Sequence, residues 1–292
     1  MRAPVKLAAF AAVLLVALAA AVVAGRLSGV DGAVATEPSA HDEHSTGDDE
    51  HQSETIGVPG GLQVAADGYA IEVLEHPAEP ADEQPLRFRI TGPDGAPVTE
   101  FTENHEADLH LVVVRRDLAD YQHLHPDLAT DGTWSVPITF AGAGSYRAFA
   151  DFVPAGHAGG LTLGVDLRVA GEFVPDRAGA AAQTAEVDGY TVTLDGHLVA
   201  GATSHLTLSV SRAGAPVTDL EPYLGAGGHL VALRDGDLAY LHVHPEDEAT
   251  AGPDVGFAVE APSAGTYRLY FEFQHEGTVR TVEFTLEAAH DD

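Results

Sequence analysis

The stretch "HLVVVRRDLADYQHLHP", His110–Pro126, decides how the chain is read. A histidine opens an apolar run, a charged loop follows, and the return brings two histidines two positions apart before a proline. The phrase recurs as "HLVALRDGDLAYLHVHP", His229–Pro245, aligned without a gap at an offset of 119 (229 less 110). An apolar run, a polar loop and a second short run form the pattern of a β-hairpin. Alternate side chains of a strand share a face, so His123 and His125 point one way, and His242 and His244 do likewise. If Val114 pairs with Tyr121 across the loop from Arg115 to Asp120, His110 stands opposite His125. Three imidazoles then converge at cross-strand spacings of about 5 Å. The same register gives His229, His242 and His244 in the second phrase. A slip of one residue would turn His110 to the other face, so the arrangement depends on register.

Working outward, the duplication extends well beyond the hairpin. "GAPVTEF" (Gly95–Phe101) matches "GAPVTDL" (Gly214–Leu220), and "DGYAIEV" from Asp67 matches "DGYTVTL" from Asp188. "GSYRAFADF" (Gly144–Phe152) echoes "GTYRLYFEF" (Gly265–Phe273). Segments such as "LRFRI", "WSVPITF" and "LTLGVDLRV" alternate or run β-branched, with Gly, Pro and Asp between them. Short strands with frequent turns predict an all-β chain of two tandem immunoglobulin-like antiparallel β-sandwiches. One larger sandwich or barrel built from both halves is the alternative. The repeats are expected over 57–172 and 184–288, joined by a linker over 173–183 that contains "DRAGAAAQ".

The first 56 residues differ in kind. Arg2 and Lys6 precede an unbroken apolar run, Leu7–Ala24, long enough for a bilayer-spanning helix. Residues 1–26 therefore read as a signal-anchor, or as a signal peptide cleaved near "AVA" (Ala33–Ala35). Either way the remainder is expected on the extracytoplasmic face, tethered to the cell membrane or secreted. Residues 27–56 contain "EPSAHDEHSTGDDEHQSE", which lacks large apolar residues and is expected to be a disordered linker. Its His41, His44 and His51 are weaker candidate ligands, and an acidic tether is the plainer reading.

Composition limits the chemistry. Asp and Glu number 45 against 14 Lys and Arg, for a formal net charge of -31. That field repels phosphate backbones, so no nucleic-acid partner is expected, while cations are its natural counterparts. It is equally what a soluble acidic surface requires. Cysteine is absent and the one methionine is Met1. A transition-metal site must then use imidazole and carboxylate, which suits Cu(II) or Zn(II). Asp151 and Glu272 occupy matching places in the "YRAFADF" and "YRLYFEF" strands, as fourth ligands or as partners that orient a ring. His157 and His275 near the ends of those strands are candidates to cap the site. His105 has Leu224 as its counterpart and falls outside the shared set. The Tyr146–Arg147 and Tyr267–Arg268 pairs read as strand packing beside a surface cation.

The plainer reading of the histidines is structural, with the proline of each phrase ending a strand because it has no N–H for the ladder. A third reading comes from "GDLAYLHVHPEDE". It places Gly236, His242, His244 and Glu248 at the spacing of a cupin-type oxygenase, but the first copy lacks the Gly and the Glu. No nucleophile elbow, phosphate loop or dinucleotide fingerprint occurs, so a non-enzymatic role is expected.

The two histidine phrases resemble a segment of exported heavy-metal-associated proteins. The sandwich pattern over most of 57–288 resembles the YtkA-like and copper-resistance families of the bacterial envelope. The resemblance implies copper handling outside the cytoplasm, carried onto His110, His123 and His125 and their counterparts. The chain departs from the copper-resistance type in having no methionine beyond Met1 and in keeping no histidine at a mature N-terminus. The expectation is one divalent ion in each repeat, for buffering or delivery. The rival is an adhesion or protein-binding envelope module whose histidines are structural and whose partner is another envelope protein.

Overall fold

The computed structural model describes residues 58–290 apart from 177, 178, 180, 242 and 247–250, and of His244 only the backbone. The expectations for 1–26 and 27–56, including His41, His44 and His51, lie outside the described residues, as do His242 and Glu248. Among the described residues no helix is long and apolar enough to cross a membrane.

The first repeat has nine strands. They are β1 (Ala65–Ala66), β2 (Tyr69–Glu75), β3 (Ala81–Thr91), β4 (Leu109–Arg115), β5 (Gln122–Leu124), β6 (Asp127–Leu128), β7 (Thr133–Phe140), β8 (Gly144–Phe152) and β9 (Leu161–Val169). The second has β10 (Thr184–Val187), β11 (Tyr190–Asp195), β12 (Leu198–Val199), β13 (Thr203–Arg212), β14 (Ala215–Pro216), β15 (His229–Arg234), β16 (Val243–Pro245), β17 (Asp254–Glu260), β18 (Gly265–His275) and β19 (Thr278–Ala289). Sheets ordered β1-β2-β3-β7-β6 and β5-β4-β8-β9 make one sandwich, and β10-β11-β13-β17-β16 with β12-β19-β18-β15 make the other. The chain changes sheet after β3, after β5 and after β7. This is the Greek-key order of an immunoglobulin-like sandwich, and it is built twice.

The packing follows from alternation. Leu86, Phe88, Ile90, Trp134, Val136 and Ile138 enter the first core with Leu111, Val113 and Leu163. Tyr190, Leu206, Leu208, Phe257, Phe271 and Phe273 do the same in the second. Tyr267 closes its sandwich at a tyrosine corner, its hydroxyl donating to the Ser263 carbonyl four residues upstream at 2.8 Å. Tyr146 makes the same corner with Gly142 at 2.8 Å and shares its hydrogen with Asp120 at 2.7 Å.

β4 departs furthest from the alternation. Every residue of β4 is buried, so neither of its faces meets water. Leu111 and Val113 point into their own core, while Val112 and Val114 point out of it and against the second repeat. Val112, Val114, Leu118 and Phe149 pack on Val231, Leu233, Leu238 and Tyr270, with Tyr121 and Tyr240 beside them. The contacts are reciprocal. Tyr121 stacks on Tyr270 at 4.0 Å and 7°, and its counterpart Tyr240 meets Phe149, the counterpart of Tyr270, at 5.6 Å. Reciprocity of this kind is the mark of a two-fold interface, here made within one chain. At about 1.5–3 kcal/mol for each fully buried Val, Leu or Phe, the eight buried side chains make a third core rather than a hinge. Accordingly 56–292 is one compact unit.

The two hairpins differ where the alignment shows no gap. Leu118 and Leu238 both adopt positive φ (66° and 62°), and their N–H groups bond Arg115 O and Arg234 O. These leucines stand 120 apart, whereas Tyr121 and Tyr240 stand 119 apart. The second loop therefore gains a residue before its leucine and loses one after it.

Arg147 corrects an expectation. It is not a surface cation but is buried, donating to Gly61 O at 2.8 and 2.6 Å and to Asp166 at 2.7 Å. The segment before β1 thus crosses β9 so closely that a Cβ on Gly164 would lie 2.0 Å from Gly61 O.

Candidate metal centre

β4 and β5 pair with Val112 opposite His123 and Leu111 opposite Leu124. This is the register in which Val114 faces Tyr121, and it puts His110 on the face of His123 and His125. β8 sets Asp151 opposite His110, and β18 sets Glu272 opposite His229. These residues share the face of Val112 and Val231, so they look into the contact between the repeats.

There three ring nitrogens converge. His110 Nδ1 lies 3.0 Å from His123 Nε2 and 3.2 Å from His125 Nε2. Among the described residues, these three histidines form the one group whose possible ligand atoms all lie within 4.8 Å of one another. Four ligands held tetrahedrally at 2.0–2.1 Å from a zinc-like ion stand about 3.3 Å apart. The triad is therefore already near ligand spacing.

The outer nitrogens fix two of the tautomers. His110 Nε2 is 2.9 Å from the Asn104 carbonyl, which can only accept, so it carries the hydrogen. His123 Nδ1 is 2.6 Å from Glu272 Oε2 and donates to that carboxylate. In neutral rings this leaves bare lone pairs on His110 Nδ1 and His123 Nε2, facing each other at 3.0 Å. His125 can turn one hydrogen towards them. Three nitrogens around one point then share at most a single hydrogen, and the remaining lone pairs repel unless a cation lies among them.

Burial keeps His110, His125 and His229 neutral. It lowers the His110 pKa from 6.5 to about 3; the Asn104 bond opposes the fall and His123, His125 and His105 add to it. Burial, and then His123, take His125 to about 4. His229 is pushed well below 6.5 by burial, then by His123, His110, His105 and His125. Asp151 moves the other way, up to about 6, because desolvation outweighs its bond from Thr162 and the pull of His123.

Of the second expected triad, His242 and the His244 side chain lie outside the described residues. His229 joins the first triad, its ring stacked on His123 at 4.7 Å and on His110 at 5.7 Å. His244 pairs through its backbone with Ala258, on the sheet opposite β15. Among the described residues, histidines of both repeats thus form one composite cluster. Gly228 makes room for this, since a Cβ there would come within 2.8 Å of Glu272 O. His105 also belongs to the cluster, 6.2 Å from the His110 ring and 6.1 Å from that of His229. Asp151 Oδ1 accepts from Thr162 at 3.2 Å and takes no place in the ligand group. With His105, His229 and Tyr240, Asp151 lines a cleft of about 340 Å³ beside the triad. His157 and His275 do not cap the site. His157 packs on Tyr69 and bonds Gly159, and His275 bridges the Tyr190 hydroxyl to Asp219.

Comparison with known families gives a match to a domain of unknown function, DUF8832, at residues 63–169 and again at 185–290. No curated protein matches the chain. Among solved structures, a DUF4426 family protein from Pseudomonas aeruginosa PAO1 is 12% identical over 38% of this chain and 96% of its own, with a TM-score of 0.29. The Escherichia coli adhesin FdeC is 14% identical over 77% of this chain and 65% of its own, with a TM-score of 0.24. Domains 4 and 5 of the S-layer protein SbsC are 10% identical over 78% and 99%, with a TM-score of 0.23. Likeness at this level says nothing of what the chain binds.

Proposed function

The chain belongs to the DUF8832 family, and for it we propose the binding of one divalent transition ion, Cu(II) or Zn(II), at His110, His123 and His125. The role is buffering or delivery, not catalysis. The observation that carries this reading is the pair of lone-pair nitrogens facing each other at 3.0 Å, with their outer hydrogens already committed to Asn104 and Glu272. A carboxylate or carbonyl behind each imidazole is the arrangement that orients and strengthens histidine ligands. His125 is exposed and gives the ion a way in. The apolar run Leu7–Ala24 supports an exported, membrane-tethered location, where the acidic tract with His41, His44 and His51 would collect cations for the site.

A structural reading is favoured by one contact. If His123 keeps a second proton, its 2.6 Å bond to Glu272 becomes an ion pair joining the repeats, and the chain is then a rigid protein-binding or adhesion module. Metal analysis of untagged protein, followed by Cu(II) and Zn(II) titration at pH 7.5, separates the two. We expect one tight equivalent, lost in His110→Ala and in His123→Ala. Absence of stoichiometric binding overturns the metal reading.

A further inference from the structure

The triad is carried wholly by the first repeat, yet the group that sets His123 is not. Glu272 lies on β18 of the second repeat and reaches across the contact to His123 Nδ1 at 2.6 Å, while its other oxygen lies 3.5 Å from Thr281 Oγ1. The His123 side chain is 0% exposed and that of Glu272 5%, so water offers His123 no alternative acceptor. Around them, His229 of the second repeat closes over the rings of His123 and His110. The Tyr121–Tyr270 stack holds β5 and β18 together two residues away from each partner.

We propose that Glu272 is a positioning residue, supplied by one repeat to the metal centre of the other, so that His123 is held in its ligating form only while the two repeats are docked. The proposal rests on the metal reading above and adds a coupling to it. Without the carboxylate, His123 is free to move its hydrogen to Nε2, the nitrogen that must carry the lone pair for a metal. Loss of a group that orients a histidine ligand in this way typically costs 10–100-fold in affinity. Coupling is reciprocal, so whatever docking contributes to binding the ion, the ion returns to docking. The three-nitrogen centre then acts as a clasp on the Val112–Val231 core, and loosening that core releases the ion without touching a ligand.

Three variants of the full chain test this. Glu272→Ala is expected to bind Zn(II) about 10–100-fold more weakly. Glu272→Gln, which keeps an acceptor oxygen at the same place, is expected to recover part of the loss. Leu233→Ala, which contacts no ligand, is expected to weaken binding as well, and saturating Zn(II) to slow hydrogen exchange of the Val231 and Leu233 amides in the wild type. A readout independent of metal is the ¹⁵N signature of His123 in the apo protein: Nδ1–H in wild type, with Nε2–H gaining in Glu272→Ala. If wild type binds Zn(II) through His110 but Glu272→Ala binds it equally well with the same tautomer, the positioning role is overturned. If wild type takes up no ion, it is the metal reading itself that falls.

Discussion

Acidification of the apo protein from pH 7.5 to pH 5 is expected to weaken the fold through the histidine cluster. In the unfolded chain each imidazole takes up its proton near pH 6.5, whereas His110 in the fold resists until about 3 and His229 also stays well below 6.5. Over that interval the unfolded state binds more protons. The stabilisation is therefore complete above pH 6.5 and is lost as pH falls. At pH 5 the neutral His110 ring costs about 2 kcal/mol, and His229 adds to the loss in the same direction. His125 adds less, because it sits at the surface where water screens it. Asp151 acts in the opposite direction. Its folded pKa of about 6 lies above the ordinary 3.8, so its contribution is greatest in acid and fades as pH rises through 6. Between pH 7.5 and 5 it returns about 1.5 kcal/mol. His110 thus outweighs Asp151, and His229 enlarges the net loss, which is read as a lower Tm. Carboxylates held low by arginines, such as Asp237 beside Arg234, are silent here because their window lies below about pH 5. Relief of the overall negative charge also contributes on acidification, so the decisive quantity is a difference between proteins. Urea unfolding of wild type and of His110→Gln/His229→Gln at both pH values supplies it. The wild type should lose at least about 2 kcal/mol more than the variant on acidification. Equal pH dependence in the two proteins would refute the claim that these rings are buried and neutral.

Other expectations follow from the packing and the centre. Leu233→Ala lies in neither sandwich core yet should destabilise the protein by about 2–5 kcal/mol, read as a lower urea midpoint at unchanged m. Tyr267→Phe should lose about 0.5–1.5 kcal/mol by removing the corner bond to Ser263 O, measurable by thermal unfolding. Gly164→Ala should be worse than its small volume suggests, because its Cβ would meet Gly61 O, and circular dichroism melting should show the loss. Chelation of a Zn(II)-loaded sample should lower Tm, and His123→Ala should show no such shift.

Much of this was legible in the alternation of a few residues. The face shared by His123 and His125, and the place of His110 opposite them, follow from period-two geometry once Val114 faces Tyr121. What that geometry leaves open is what lies beyond the face. The sign was present in the unbroken apolar runs Leu111–Val114 and Leu269–Phe271, where consecutive apolar residues require a strand to be covered on both sides. Comparing the copies with one another also hid two things. His105 has Leu224 as its counterpart, so a search for shared histidines discards it although the fold returns it to the cluster. His229 reads as the start of a second triad, whereas the reciprocal contact sets it against the first. Contacts such as that of Glu272 with His123 join residues 149 apart, and no local pattern encodes them.

The double-sided β4 also bears on how the chain comes into being. The first repeat is synthesised before the second, and domains generally fold in that order. Until the second repeat exists, Val112, Val114, Leu118 and Phe149 have no cover and form an adhesive apolar patch. A nascent chain halted there, or a fragment cut in the linker, would present that patch to any other copy nearby. Pairing of two first repeats is the obvious hazard, since the surface already fits a near-copy of itself.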